Sequence, residues 1–277
     1  MVFIFFLFAD QVSAFSISPT RFLITANPDT KQIVWLNVKN DEQESKKFKI
    51  FVGGLKQEKN GALVFQRDLD VAETWAQTDQ QTITLSPNAQ AKIKFVIAVP
   101  KTAPPGSHYL GLAAETVSDD TVGSAVGGRL FAILTLRVAG EAVESVSVDK
   151  WVGPTITWKR DWPLILQLNN NGNIDVPIKS EINIKYHNKI INTIDWPLGN
   201  NLLTKSARYL EKTVSPSMFW PGRYEAQNRI SYGRSGQAVW GLHVIWYFPI
   251  WSIIDTAMVL VVFILVYIKI RYRHVEV

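Results

Sequence analysis

The sequence of 277 residues contains no cysteine. Disulfide bonds and thiolate ligands or nucleophiles are therefore excluded, and an exported domain must be held together by packing alone. None of the four histidines has metal-ligand spacing, and a GxSxG motif and a glycine-rich phosphate loop are lacking. These absences argue against an enzyme and predict no cofactor. One alternative stays open, because Asp119-Asp120 and Asp68/Asp70 are either calcium ligands or ordinary turn formers.

The sequence also lacks a concentrated run of positive charge. Lys and Arg outnumber Asp and Glu by 29 to 24, but the longest basic runs are pairs such as Lys46-Lys47. Proteins that bind nucleic acid concentrate their positive charge on one face or in one run. No nucleic-acid partner is predicted, and weak attraction to an anionic cell envelope stays open.

The N-terminal residues have the pattern of a secretory signal peptide. A short apolar run over residues 2–8 is followed by polar residues and then by the small residues of Val12-Ser13-Ala14. This order predicts a signal peptide over residues 1–14, with cleavage between Ala14 and Phe15. No basic residue precedes the apolar run, which leaves two alternatives, a start codon further upstream and a buried first strand.

The C-terminal residues have the pattern of a membrane anchor. Residues 249–268 are almost entirely apolar, and twenty helical residues match the roughly 30 Å hydrocarbon core of a bilayer. We therefore predict a transmembrane helix over residues 248–268, with Trp246, Tyr247, Phe248 and Trp251 as an aromatic belt at its outer end. The basic residues that follow predict a cytoplasmic tail over residues 269–277 and an extracellular N-terminus; they are Lys269, Arg271 and Arg273. The localisation expected is a single-pass cell-membrane protein.

Asp255 is the one carboxylate within this apolar span. A charge at mid-bilayer costs roughly 2.5 to 3.5 kcal/mol on insertion scales. Two interpretations stay open: the side chain lies near the outer interface, where a helix N-terminus favours negative charge, or it contacts a second membrane helix.

Between the two ends the apolar residues recur with period two. Ile93, Phe95, Ile97 and Val99 alternate with Lys92 and Lys94, and similar strands are separated by turn residues throughout. The fold class predicted is all-β, with two tandem immunoglobulin-like β-sandwich domains over residues 15–140 and 141–247 and one C-terminal transmembrane helix. In the second domain we expect strands at 143–148, 164–168, 178–186, 190–194, 208–214, 224–232 and 238–246, with a hairpin turn at 233–237.

Seven of the ten tryptophans lie in the second domain, and three of them lie in the loop-like stretch DKWVGPTITWKRDWP. Aromatic side chains on loops are favoured binding anchors because they bring a large rigid area at low entropic cost. Sandwich cores and membrane-proximal strands also use tryptophan. Trp151, Trp158 and Trp162 are therefore candidate partner contacts, with a core role as the alternative.

Several segments of the first domain resemble the WxL-interacting proteins of bacterial surfaces. They include QIVWLNVKN, FKIFVGGL, TITLSPNAQAKIKFVIAVP and RLFAILTLRVAG, and the most specific of them is VPKTAPPGSHY. In the second domain the resemblance is limited to NNNGNIDVPIKS and FWPGRY, and the order of signal peptide, two sandwiches, anchor and basic tail is also similar.

The resemblance implies that the first domain binds peptidoglycan and that the second binds a WxL-type surface protein. The expected function is a membrane-anchored extracellular scaffold that tethers a cell-wall polymer, a surface protein or both to the cell. The alternative is an assembly factor similar to the pilus chaperones, which also have paired immunoglobulin-like domains and add a strand to the subunits they bind.

Overall fold

The computed structural model of the protein describes residues 15–67, 71–117, 128–199, 201–217 and 220–273, and the side chains of 272 and 273 lie outside this description. These described residues form eighteen β-strands, one short 3-10 helix and one long α-helix. The predicted signal peptide, including Ala14, lies outside the described residues, as do Asp68, Asp70, Asp119 and Asp120. Two compact units are present, unit 1 over residues 15–57 and 62–143 and unit 2 over residues 58–61 and from 144 onward.

Unit 1 is a sandwich of two sheets. One sheet has the order β1-β3-β8-β6, and the other has the order β2-β10-β9-β4-β5, with β7 also paired to β4. The 3-10 helix spans Val71–Trp75. The strands are β1 (Phe15–Ser18), β2 (Arg21–Ala26), β3 (Thr30–Asn40), β4 (Lys46–Gln57), β5 (Leu63–Gln66), β6 (Ala76–Gln77), β7 (Thr82–Leu85), β8 (Gln90–Val99), β9 (Gly106–Val117) and β10 (Arg129–Val138).

Unit 2 is a second sandwich, whose sheets have the orders β11-β13-β16 and β12-β18-β17-β14-β15. We call the five-stranded sheet of this unit sheet D. The strands are β11 (Val146–Val152), β12 (Ile156–Thr157), β13 (Trp162–Asn170), β14 (Ile178–Tyr186), β15 (Lys189–Pro197), β16 (Ala207–Val214), β17 (Gly222–Tyr232) and β18 (Gln237–Tyr247). Helix α1 follows at Ile250–Arg273.

The core of each unit lies between its two sheets because every second side chain of a strand points inward. In β8 the buried residues are Ile93, Phe95, Ile97 and Val99, as the period-two pattern predicts. In unit 2 the corresponding core contains Trp162, Leu164, Leu166 and Leu168 of β13. The predicted fold class, two immunoglobulin-like sandwiches followed by one apolar helix, is confirmed.

In both units the first two strands belong to different sheets. β1 pairs with β3, and the chain then crosses so that β2 pairs in parallel with Ile133–Val138 of β10. In unit 2, β11 pairs with β13, and β12 then pairs in parallel with β18. This second pairing joins only Trp246 and Tyr247 to β12, so most of β18 has a strand partner on one side only, among the residues that the structure describes.

The described residues include one helix that is long and apolar enough to cross a membrane, over Ile250–Arg271, with a mean hydropathy of 2.4. Its side chains are not buried by the rest of the chain. Asp255 lies in its second turn and is exposed, and Lys269 and Arg271 lie in its last two turns together with the backbone of Arg273.

Candidate functional site

Two of the three tryptophans predicted as partner contacts are core residues. Trp151 is 6% exposed and Trp162 is fully buried, so neither side chain can reach a partner from the folded unit, and the prediction is wrong for both. Trp158 is 58% exposed, and its role as a contact stays a prediction.

The two buried tryptophans lie on strands and not on loops. Trp151 is in β11, and its indole N–H donates a 2.8 Å hydrogen bond to the carbonyl of Ala226 in the opposite sheet. Trp162 begins β13 and packs edge-on against Tyr224 and Tyr247, with ring centroids 5.7 and 6.4 Å away. Both side chains therefore hold the two sheets of unit 2 together.

Other large exposed apolar side chains of unit 2 lie on its last strand. β18 has inward residues at odd numbers, where Ile245 and Tyr247 are buried. Its even-numbered residues point outward, and Trp240, Leu242 and Trp246 are 56, 59 and 42% exposed. We call the two of these that lie far from the helix, Trp240 and Leu242, the β18 apolar row.

The neighbouring strands of sheet D present a polar face. In β17 the residues opposite Trp240, Leu242 and Trp246 are Arg229, Gln227 and Arg223. The Arg229 guanidinium lies 5.6 Å from the centroid of the Trp240 ring and gives the β18 apolar row a cationic border. The cluster of large exposed apolar side chains on β18 thus borders a polar face, whereas the opposite edge strand β15 carries Ile190 alone as a large exposed apolar side chain. Such a cluster is the pattern of a binding surface.

β18 lacks the features that usually protect an edge strand. Natural edge strands are short or carry charge, proline or a bulge, because an open edge can pair with another chain. Among the described edge strands longer than six residues, β15 carries Lys189 and Pro197, β16 carries Arg208 and Lys212, and β11 carries Lys150 at a bulge. β18 has the sequence QAVWGLHVIWY, which contains neither Asp, Glu, Lys, Arg nor Pro.

The crossover between β11 and β12 approaches the middle of β18. A Cβ at Gly241 would lie 2.7 Å from the Trp151 ring, so only glycine fits there. The His243 ring nitrogen Nε2 lies 3.3 Å from the carbonyl oxygen of Pro154. On the side away from β17, no described strand pairs with Gln237–Trp240, although β11 passes close to β18. This first part of β18 is continuous with the β18 apolar row.

The sequence of β18 already indicates this surface, although none of its residues was predicted as a partner contact. The predicted strand 238–246 is apolar at both odd and even positions, as in AVWGLHVIW. A strand with one wet face alternates apolar and polar residues, as β14 does, so a second apolar face on an outer strand indicates a partner.

Unit 1 has one comparable aromatic position. Trp35 of β3 is 43% exposed on the outer face of its sheet, next to Ile33, which is 54% exposed. Lys94 lies opposite Trp35 in β8, and the Lys92 ammonium lies 4.9 Å from the centroid of the Trp35 ring. This Trp35 platform combines a flat aromatic surface with positive charge.

The histidines have structural surroundings. The His108 ring nitrogen Nε2 lies 3.1 Å from the carbonyl oxygen of Pro104, and the ring packs against Trp75. His187 lies in the turn between β14 and β15, and His274 lies outside the described residues. Within the described part of the chain, there is no group of three or more His, Cys, Asp or Glu side chains that could hold a metal ion.

Neither a protein-family model nor a curated protein sequence matches the chain. Among solved structures, the class 5 fimbriae chaperone CfaA is 15% identical, with a TM-score of 0.48, and the match covers 86% of this chain and 100% of CfaA. A chain of the chaperone–tip adhesin complex of CFA/I fimbriae is also 15% identical, with a TM-score of 0.49 and coverage of 83% and 98%. The CsuC–CsuE pre-assembly complex of Acinetobacter baumannii gives 12% identity, a TM-score of 0.41 and the same coverage. These values describe a likeness of sandwich folds and say nothing about what this chain binds.

Proposed function

We propose that the chain is a membrane-anchored binding protein that holds an extended segment of a partner surface protein along β18 of unit 2. The observation that carries this proposal is the combination of exposed Trp240 and Leu242 with an uncharged strand that, along Gln237–Trp240, has a described strand partner on one side only. In this proposal the anchored protein binds its partner by strand addition, in which a segment of the partner pairs with a strand of the sheet.

In this mode the backbone and the side chains of β18 contribute separately. The open backbone groups of Gln237–Trp240 pair with the partner strand, which gives affinity with little dependence on sequence. Trp240 and Leu242, two residues apart, pack against alternate side chains of the partner, and this spacing selects a segment with apolar residues at every second position. The resemblance to the WxL-interacting proteins suggests a WxL-type surface protein as this partner.

The position of β18 in the chain suits a tether. Helix α1 begins at Ile250, ten positions after Trp240, which is at most about 35 Å of extended chain. With α1 in the membrane and the units outside the cell, a partner bound at the β18 apolar row is held close to the outer leaflet.

The test uses the full-length chain in nanodiscs, with the combined Trp240→Thr and Leu242→Thr variant and with envelope proteins of the producing cell as ligands. Threonine keeps the β-propensity and removes the apolar anchors, so affinity should fall about tenfold or more while circular dichroism is unchanged. The parent protein should also show slowed hydrogen exchange at Gln237–Trp240 when the partner is bound.

Ile190→Thr provides the matched control. Ile190 is 56% exposed on β15, the opposite edge of sheet D, so the same chemical change there should leave binding intact. If the double variant binds as the parent does, or if Ile190→Thr weakens binding equally, the partner does not use the β18 apolar row.

A second function, peptidoglycan binding by unit 1, is supported by the Trp35 platform. An exposed indole face stacks on sugar rings, and Lys92 and Lys94 beside it suit the carboxylates of wall peptides. Trp35→Ala should reduce sedimentation of the protein with purified peptidoglycan, whereas Val64→Ala, at a 41% exposed position elsewhere on unit 1, should not. Equal sedimentation of both variants would remove the Trp35 platform from this function.

A further inference from the structure

A cavity of about 470 Å³ opens at the end of unit 2 from which α1 leaves. The turn between β14 and β15 forms one side of it, and the start of β17 and the end of β18 form the other sides. These three segments are neighbours because Tyr186 pairs with Tyr224, and Gly222 pairs with Tyr247. The lining includes Lys185, Tyr186, His187, Arg223, Glu225 and Trp246.

The lining has the chemistry of an anion site with an apolar wall. Lys185 and Arg223 are the two basic side chains of the lining, and Glu225, which forms an ion pair with Arg223, offsets one of the two charges. The side chains of His187 and Asn188 add further polar groups, and the rings of Tyr186 and Trp246 form the apolar part. A volume of this size accommodates a small ligand and not a folded partner.

The chain places this cavity at the level of lipid headgroups. Ile250 follows Trp246 by four positions in the chain, which is at most about 14 Å, and the headgroup layer extends roughly 5 to 8 Å beyond the hydrocarbon core. The Trp220 ring, next to the cavity-lining Pro221, lies 6.3 Å from the ring of Trp251 in the first turn of α1.

Exposed aromatic side chains surround this end of unit 2. Phe248 donates its backbone N–H to the carbonyl of Thr157, which brings the next residue, Trp158, to the same end. Trp158, Trp220, Trp246 and Phe248 are 58, 59, 42 and 39% exposed. Tryptophan is enriched at membrane interfaces because its ring is apolar and its N–H is polar, so these side chains suit contact with headgroups better than contact with water.

We propose that this cavity binds the phosphate of an anionic lipid headgroup in the leaflet that α1 enters, so that unit 2 sits upright on the membrane surface. Lys185 and Arg223 supply the charge, and Trp246 contacts the glycerol backbone. The proposal rests on α1 spanning the bilayer, as the proposed function does, but not on the docking of a partner at the β18 apolar row. It also assigns Trp158 to the membrane interface and not to a protein partner.

The experiment measures which lipids stay bound to the full-length chain and how fast its backbone amides exchange. The protein is placed in nanodiscs of phosphatidylcholine alone or with phosphatidylglycerol, and bound lipids are counted by native mass spectrometry. Phosphatidylglycerol should be retained preferentially and should slow exchange at residues 185–188 and 222–223. The Lys185→Gln, Arg223→Gln variant should lose roughly tenfold or more of this preference.

The control is the Lys179→Gln, Arg229→Gln variant, which removes the same two residue types from the same two strands and the same face. Both positions lie six residues from those of the test variant, about 20 Å along the sheet, so lipid preference should stay at the parent level. An equal loss of lipid preference in the control variant would mean that the effect comes from general surface charge, and it would overturn the proposed lipid site.

A separate arm distinguishes the lipid from a soluble phosphate. Glycerol phosphate and inorganic phosphate are added to the chain in pure phosphatidylcholine nanodiscs, and no protection of residues 185–188 is expected at millimolar concentration. Protection equal to that with phosphatidylglycerol would assign the cavity to a free phosphate ligand and overturn the lipid proposal. Partner binding at the β18 apolar row is measured in phosphatidylcholine, so a failure here leaves the proposed function standing.

Discussion

At the residue scale, Asn40 and Asn170 are equivalent positions at the ends of β3 and β13. The side-chain amide of each donates to the carbonyl four residues later, Glu44 at 2.7 Å and Ile174 at 2.8 Å. Each also donates to a leucine carbonyl on a distant segment, and each side-chain oxygen accepts the N–H two residues later. The two units thus share this set of asparagine hydrogen bonds. The sequence did not reveal it, because the sequence has no visible repeat.

Removing these hydrogen bonds should destabilise the unit that contains them. Asn170 is 2% exposed, and Asn170→Ala removes its hydrogen bonds to the Ile174 and Leu202 carbonyls and from the Gly172 N–H, so we expect a loss of about 2 kcal/mol in the free energy of unfolding. Urea denaturation of the full chain, followed by tryptophan fluorescence, measures it. Asn171→Ala, which removes one exposed hydrogen bond to Ser147, should cost less than about 0.5 kcal/mol. Equal losses would contradict the role of Asn170.

The corrected roles of the tryptophans make a second prediction at this scale. Trp162→Ala should cost about 3 to 5 kcal/mol because it empties a core site between Tyr224 and Tyr247, whereas Trp158→Ala should cost less than about 0.5 kcal/mol. Thermal unfolding separates the two variants. A Trp162→Ala protein with parental stability would mean that the core of unit 2 is organised differently.

A third residue-scale prediction concerns pH. Burial, together with repulsion from Tyr186 and Tyr247, raises the pKa of Tyr224 to about 12. The unfolded tyrosine has a pKa near 10, so its contribution to stability is complete below pH 10 and is lost as the pH rises towards 12. Unit 2 should therefore lose stability in this window, and Tyr224→Phe should lose less. If the stability of the parent protein and that of Tyr224→Phe changed with pH in the same way, this role of Tyr224 would be contradicted.

At the element scale, the sequence predicted the strands that have one exposed polar face. It did not predict the strands whose burial depends on the crossover between the two sheets. Strand β14 has the predicted bounds, Ile178–Tyr186, and the predicted turn at 233–237 joins β17 to β18. β11 was expected at 143–148 but spans Val146–Val152, and β12 was not predicted. Gly153 and Pro154 made this region look like a loop, and only the switch between sheets places Trp151 in the core.

The same limit applies to the candidate site. That β18 is a strand follows from its sequence, but its exposure depends on β12 pairing with only two of its residues. One prediction follows for the element alone. Leu242→Lys should reduce self-association of the purified chain, because a lysine in the β18 apolar row opposes packing against a second copy, without loss of stability. Light scattering in nanodisc-free detergent solution tests it, and unchanged or increased association would contradict an open apolar edge.

At the scale of the whole molecule, two sandwiches without disulfides precede one apolar helix, and each part supplies a different element of the proposed function. In the proposed function, unit 1 contributes the Trp35 platform, unit 2 contributes the β18 apolar row, and α1 anchors both in the membrane. The basic residues Lys269 and Arg271 at the end of α1 favour a cytoplasmic C-terminus. Protease added to intact cells should accordingly remove both units, and protection of the units would reverse the orientation.

The central claim is that a partner protein lies along β18 at the cell surface. The most direct measurement places a photo-crosslinking amino acid at Leu242 of the full-length chain in living cells and, in a separate strain, at Thr193. Thr193 lies on β15 at the other edge of sheet D, and its hydroxyl donates to Asn183, so it shares the same outer face without an apolar neighbourhood. We predict one discrete protein adduct from position 242, lost when Trp240→Thr is added, and none from position 193. Adducts of equal yield from both positions, or an adduct from 193 alone, would contradict the claim.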